Sequence, residues 1–222
     1  MKLPLSIFDF LTQLERNNNR SWFQDHKSQY DEIKTALDVF ATALIERISL
    51  FDSSVRRETP KTSVFRIYRD IRFSPDKTPY KTHFGICIVP GGKSAPLAGY
   101  YLHLQNNASE MCGGLWCPDS NRLKKIREEI YYEPETFEAI VTAPAFTSQF
   151  GGLLTNDKLV RPPKGYPADF PYIDYLKYRH YLVAASLSNE AVLSTSFLNQ
   201  CVTVFEKMYP LVNYLNTLLL ND

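Results

Sequence analysis

The chain has 222 residues, 44% of them hydrophobic and 22% charged, a balance that excludes a disordered, collagenous or coiled-coil chain and a length that can bury a core unaided. Its 25 basic and 24 acidic side chains leave a net charge of +1, so no global field draws the molecule onto nucleic acid or an anionic membrane, and any site for a charged partner has to be local. No apolar run approaches a membrane span, Pro4, Ser6 and Asp9 break the N-terminal stretch before it can read as a signal peptide, and four cysteines without a Cys-x-x-Cys pair are too few for a disulfide framework, so a cytoplasmic protein with reduced thiols is expected.

The first 50 residues read as helix. Ser6 is placed to cap a short one with the apolar stripe Ile7, Phe10, Leu11 and Leu14, which Asn17, Asn18 and Asn19 end. Ser21, with Gln24 in capping-box position, then opens a longer helix on which Phe23, Tyr30, Ile33, Leu37, Phe40, Leu44 and Ile48 recur at three- and four-residue spacing. His26 falls on that stripe and is expected to be a hydrogen-bonded core residue. From 63 to 73 the period changes to two, with Phe65, Ile67, Ile71 and Phe73 opposite Arg66, Tyr68, Asp70 and Arg72, as in a half-buried strand. Further strands are predicted at 83–89, 100–105 and 111–116, and the short connections between them favour antiparallel pairing.

Helix then returns. Asp119 or Ser120 caps one helix, Pro134 starts another, and Gly151 and Gly152 stop a third. A small hairpin is expected at 153–160, an extended loop at 161–167 where three prolines forbid ladder or helix, and a strand at 181–185. A terminal helix begins near Thr195 and is expected to break or kink at Pro210. The sum is one α+β domain over residues 1–222, a central antiparallel sheet flanked by helices, with long N-terminal and C-terminal helices.

Charge gathers between Val64 and His83, where Arg66, Arg69, Arg72, Lys77 and Lys81 stand against Asp70 and Asp76, a local net charge of +3. The nine residues 74–82, holding Pro75 and Pro79, exceed a hairpin turn and read as a shaped loop. If the strands align, one face collects Arg66, Tyr68, Asp70, Arg72, His83, Tyr101, His103 and Gln105. Arginine forks bind carboxylate or phosphate bidentately, so Arg66, Arg69 and Arg72, with Lys77 and Lys81 from the loop and Tyr68 beside them, are the expected ligand-binding set. His83, His103, Tyr101 and Asp70 are the candidates for proton transfer or for orienting an arginine. The plain alternative is a solvated strand face with cross-strand ion pairs.

The same residues carry a resemblance. Asn19-Arg20-x-Trp22-Phe23, the run from Arg66 to Lys81, Tyr100-Tyr-Leu-His-Leu104, Gly113-Gly114-x-Trp116-x-Pro118 and Pro163-Lys-Gly-Tyr166 resemble the signatures of the domain of unknown function 2461 family, over about residues 8–215. The resemblance implies a soluble protein of a mainly bacterial group and marks the Arg66 to Lys81 run as its defining element; it implies no activity, cofactor or catalytic residue.

Other motifs fail on their mechanics. Gly92-Lys93-Ser94 lacks the earlier glycine of a phosphate loop, and Ser74-Pro-Asp-Lys77 lacks the companions of a serine acyl enzyme. A zinc site from His83, His103, Cys112 and Cys117 matches no structural zinc spacing, and no metal is expected. Three functions follow: a binder, or enzyme, for a small anion such as a phosphate ester, nucleotide or carboxylate; a nucleic-acid binder stacking bases on Tyr68, Tyr80, Tyr101 and Trp116; and a protein-interaction module using an apolar patch around the Arg161 to Pro171 loop and Tyr172 or Tyr175. The cofactor and the oligomeric state are not specified by the sequence.

Overall fold

A computed structural model of the chain describes residues 2–220. Helix α1 (Ser6–Arg16) buries the expected stripe, although it begins at Ser6 itself with no side-chain cap. The cap that does form is Asn19, whose side chain accepts from the Trp22 N–H at 3.0 Å, two residues ahead of the predicted Ser21. The predicted long helix is two, α2 (Arg20–Asp25) and α3 (Lys27–Ile48), which meet at His26. There the half-buried imidazole donates from Nδ1 to the Trp22 carbonyl at 2.8 Å and stacks on the indole at 4.0 Å. A short α4 (Pro60–Ser63), closed by a capping box from Thr59, turns the chain toward the sheet.

The sheet contains β1 (Phe84–Ile88), β2 (Gly99–Leu104), β3 (Ser109–Leu115) and β4 (Tyr181–Leu187), antiparallel throughout and in sequence order. Between β3 and β4 lie α5 (Ser120–Tyr132), capped by Asp119 as expected, α6 (Pro134–Val141), α7 (Pro144–Phe150) and α8 (Ile173–Leu176). After β4 come α9 (Asn189–Leu193) and α10 (Phe197–Leu220), which runs through Pro210 without a break. The architecture is α+β, with long helices near both ends. No helix among the described residues is long and apolar enough to cross a membrane.

Residues paired across an antiparallel ladder share a face. Ile86, Leu102 and Met111 form one such row and Ile88, Tyr100, Gly113 and Val183 the next, all buried. Helices α1, α3 and α10 cover this inner face: Phe10 stacks on Phe84 at 6.4 Å, Phe205 meets Tyr100 at 5.4 Å, and a Cβ on Gly113 would strike Met208. The buried Tyr100 hydroxyl donates to Asp52 at 2.9 Å. The core side chains form one contiguous cluster.

Two predicted elements are corrected. Residues 63–73 are not a strand: Val64 bridges Ile86, and the chain then leaves the sheet and doubles back as an irregular arm. Its two limbs share the Tyr68 to Tyr80 bridge and bonds from Arg69 N–H to Pro79 O and Lys81 N–H to Ile67 O. Pro75 and Pro79 have no N–H to donate, so the returning limb cannot continue a ladder. The alternation that suggested a strand buries only Ile67 among the four apolar residues of its face, while Phe73 at the arm's tip is 94% exposed. The hairpin predicted at 153–160 is a series of turns, tied to the sheet by the Leu154 N–H donating to Leu182 O at 2.8 Å.

Candidate functional site

The face of the sheet opposite the helices carries different rows. Gly85, His103, Glu110 and Ser186 form the first, Cys87, Tyr101, Cys112 and Ala184 the second, and Gly99, Gly114 and Leu182 the third. Glu110 of the first row and the whole of the second and third floor a groove of about 740 Å³, within the size range of small-ligand sites. Phe65 from the base of the arm, Lys81 and His83 wall one side, the connection 89–98 contributes Lys93, and Trp116, Leu154 and Asn156 close the far end.

Short side chains open the floor where long ones need room. A Cβ on Gly85 would lie 2.9 Å from the Tyr101 hydroxyl and 3.2 Å from the Phe65 ring. Tyr101 therefore lies over β1, and its hydroxyl donates to His103 Nδ1 at 3.0 Å. His103 Nε2 stands 3.0 Å from the Gln105 side-chain oxygen, which can only accept, so in the tautomer that satisfies both bonds Nε2 donates and Nδ1 accepts from tyrosine. Gln105, His103 and Tyr101 thus form one directed chain ending in the groove. Burial first, then the charges of Cys87, Cys112 and Glu110, push the Tyr101 phenol up, so it stays a proton donor.

His83 packs beside this chain, its ring 4.4 Å from that of His103. Burial, then His103 and Lys81, lower it to about 4, which keeps it neutral at pH 7. On β3 the Cys112 thiol hydrogen-bonds Glu110 and is pushed up to about 12, mainly by burial; burial also raises Cys87 to about 11. Neither is a thiolate at neutral pH.

The cations of the groove meet on one aromatic ring. Lys81 Nζ lies 4.9 Å and Lys93 Nζ 6.0 Å from the centre of the same Phe65 ring. Lys81 is lowered by burial first and then by the charges of Arg66 and Lys93. Among the described residues none of these three makes an ion pair. Lys93 is held rather than loose: its N–H donates to Thr62 O at 2.9 Å and its Nζ to Lys61 O at 2.8 Å. The connection that carries it is fixed by the Gly91 N–H to Glu58 at 2.9 Å and by the buried Asn216 amide, which bonds both backbone groups of Ala98.

The other expected residues lie along the arm. Asp70 takes Arg72 bidentately, Oδ1 from Nε at 2.9 Å and Oδ2 from Nη2 at 2.7 Å, and this pairing lowers its carboxyl to about 2. Arg69 is engaged by Asp76 and Thr78, and Lys77 Nζ caps the Ile71 carbonyl at 3.0 Å. Tyr68 packs on Phe23 and Tyr80. Arg66 is exposed at the arm's base, near enough to influence Lys81. Lys81, His83 and Tyr101 thus line the groove directly, and His103 adjoins it through Tyr101.

Glu110, Lys93 and Phe65 line the groove without having been singled out from sequence as site residues. The signal for Glu110 was the short turn joining β2 to β3, which fixes its register opposite His103. The zinc set does not assemble: among the described residues no three His, Cys, Asp or Glu side chains converge as ligands, and Cys117 lies beyond the end of β3, its N–H donating to His180.

The family described as conserved hypothetical protein (DUF2461) matches the chain over residues 6–214. No curated protein and no solved structure matches it.

Proposed function

The chain belongs to the DUF2461 family of conserved hypothetical proteins, and from that premise we propose that it binds a small anionic ligand, such as a phosphate ester, nucleotide or carboxylate, in the groove on the open face of its sheet. One observation carries this reading: Lys81 and Lys93 are gathered on one aromatic ring, with Arg66 close by, and among the described residues none of the three makes an ion pair, Glu110 being the one carboxylate that lines the groove. Like charges held together in a half-buried place oppose folding unless something of opposite charge resides there. Lys81 and Lys93 supply the charge, Arg66 stands at the lip, and His83, His103 and Tyr101 are the groups able to move a proton at the ligand. The paired Asp70, Arg72, Arg69 and Lys77 shape the arm whose base forms the wall. A cytoplasmic setting, which keeps the four free thiols reduced, belongs to the same reading.

Isothermal titration calorimetry with inorganic phosphate tests it. Wild type is expected to bind and the Lys81→Ala, Lys93→Ala double variant to lose at least ten-fold in affinity; equal affinity in the two proteins, or no binding to wild type, contradicts the reading.

A further inference from the structure

Trp116 follows the last residue of β3 and is 67% exposed, although an indole is the largest apolar surface a residue can bury. It is nevertheless supported. Its ring stacks on His180 at 4.4 Å with 21° between planes. His180 is pinned from both sides: Nδ1 accepts the Cys117 N–H at 3.0 Å, and Nε2 faces Asp157 at 3.4 Å. Cys117 and Asp157, the two residues that do the pinning, are both left-handed at φ of 48° and 64°. A non-glycine residue takes that conformation at a cost in free energy, and such positions cluster where a side chain must be aimed.

One face of the indole rests on His180, and no other ring contact involves it among the described residues. The side chain lines the groove together with Leu154 and Leu182. Between Trp116 and Tyr101 the floor is Gly99 and Gly114, which lack side chains because neighbouring backbone lies too close to admit a Cβ. A flat group can therefore lie low against the sheet. From Glu110 to Gly114, both in the groove floor, is four residues, roughly 13 Å of strand. Asn156, also at the Trp116 end, makes no hydrogen bond among the described residues and offers both a donor and an acceptor. Glu110 limits the opposing charge: two lysines and one carboxylate suit a single phosphate better than a polyphosphate chain.

We propose that the ligand joins a planar heteroaromatic ring to one phosphate, in the manner of a nucleoside monophosphate, and that Trp116 is the platform on which the ring stacks. The proposal rests on the anion reading above. Stacking on an aromatic residue carries about ten-fold or more in affinity.

The test is calorimetry of adenosine monophosphate, ribose 5-phosphate and a hexameric oligoadenylate against wild type, Trp116→Ala, Trp116→Phe and the Lys81→Ala, Lys93→Ala variant. Wild type is expected to bind adenosine monophosphate about ten-fold more tightly than ribose 5-phosphate. Trp116→Ala is expected to bring that ratio near one by losing far more affinity for adenosine monophosphate than for ribose 5-phosphate, and Trp116→Phe to keep most of it. A ratio near one in wild type, or one untouched by Trp116→Ala, overturns the ring proposal while leaving the anion site intact. Binding of the oligonucleotide alone, steeply weakened by salt, overturns it in favour of a single-strand groove. If neither small phosphate nor the oligonucleotide binds, the anion reading falls and this one with it.

Discussion

The arm and the mouth of the groove carry the same kinds of side chain within a few residues of each other, and they differ in what those side chains touch. At the arm's tip Arg72 is forked onto Asp70, Arg69 is engaged by Asp76, and Lys77 caps a carbonyl, so the cations are consumed by the arm's own geometry. At the groove Lys81 and Lys93 share the Phe65 ring and, among the described residues, make no ion pair. The arm needs its charges because it has no ladder: with two prolines on its returning limb, side-chain bonds do what strand pairing does elsewhere. A high density of charge in the sequence therefore marks a self-stabilised element as readily as a binding site, and what separates the two is whether the partners are in the same loop.

The sharpest break of this comparison exchanges the roles of the two regions. Removing Lys81 and Lys93 together is expected to abolish phosphate binding and also to raise the apparent melting temperature, because it relieves repulsion as it removes the site; a fall in melting temperature would show that the lysines are structural. The reverse change, Asp70→Asn with Asp76→Asn, frees the arm's arginines. It is expected to expose residues 70–78 to limited proteolysis while changing phosphate affinity by less than two-fold, and a large gain in affinity would make the arm part of the site.

A smaller effect follows from His83. Its folded value near 4 lies below the unfolded value of about 6.5, so the native state binds fewer protons. The stability it contributes is present above about pH 6.5 and is lost as pH falls toward 4. His83→Gln should flatten melting temperature against pH across that window, and an unchanged slope would place the acid sensitivity elsewhere. The smallest effect is expected from Arg72→Ala, whose pair with Asp70 is largely in solvent. Phosphate affinity and melting temperature should both stay at their wild-type values.

Much of this architecture was legible in the sequence because it rests on periodicity. The stripes of α1 and α3, the four strands and the cap at Asp119 each follow from apolar spacing or a local hydrogen bond. Residues 63–73 misled because the same alternation describes any extended segment, and only the prolines at 75 and 79 separate a ladder from an arm. Within the site, His83 and Tyr101 were legible as outward positions on predicted strands. Lys93 was not, since its place beside Phe65 depends on contacts distant in sequence: Thr62 and Lys61 hold the residue itself, and Glu58 and Asn216, the latter 118 residues from Ala98, fix the connection between β1 and β2. Trp116 drew notice as an aromatic, but its support by His180 and Asp157 comes from contacts 41 or more residues distant, beyond any local pattern.

The most direct test of the unpaired cation cluster is a nuclear magnetic resonance titration of the Lys81 side chain with and without saturating inorganic phosphate. In the free protein Lys81 should titrate below the ordinary lysine value, because burial and the neighbouring charges disfavour its ammonium, and phosphate should move it upward by favouring the charged form. A Lys81 that titrates at the ordinary value and does not respond to phosphate would contradict the account.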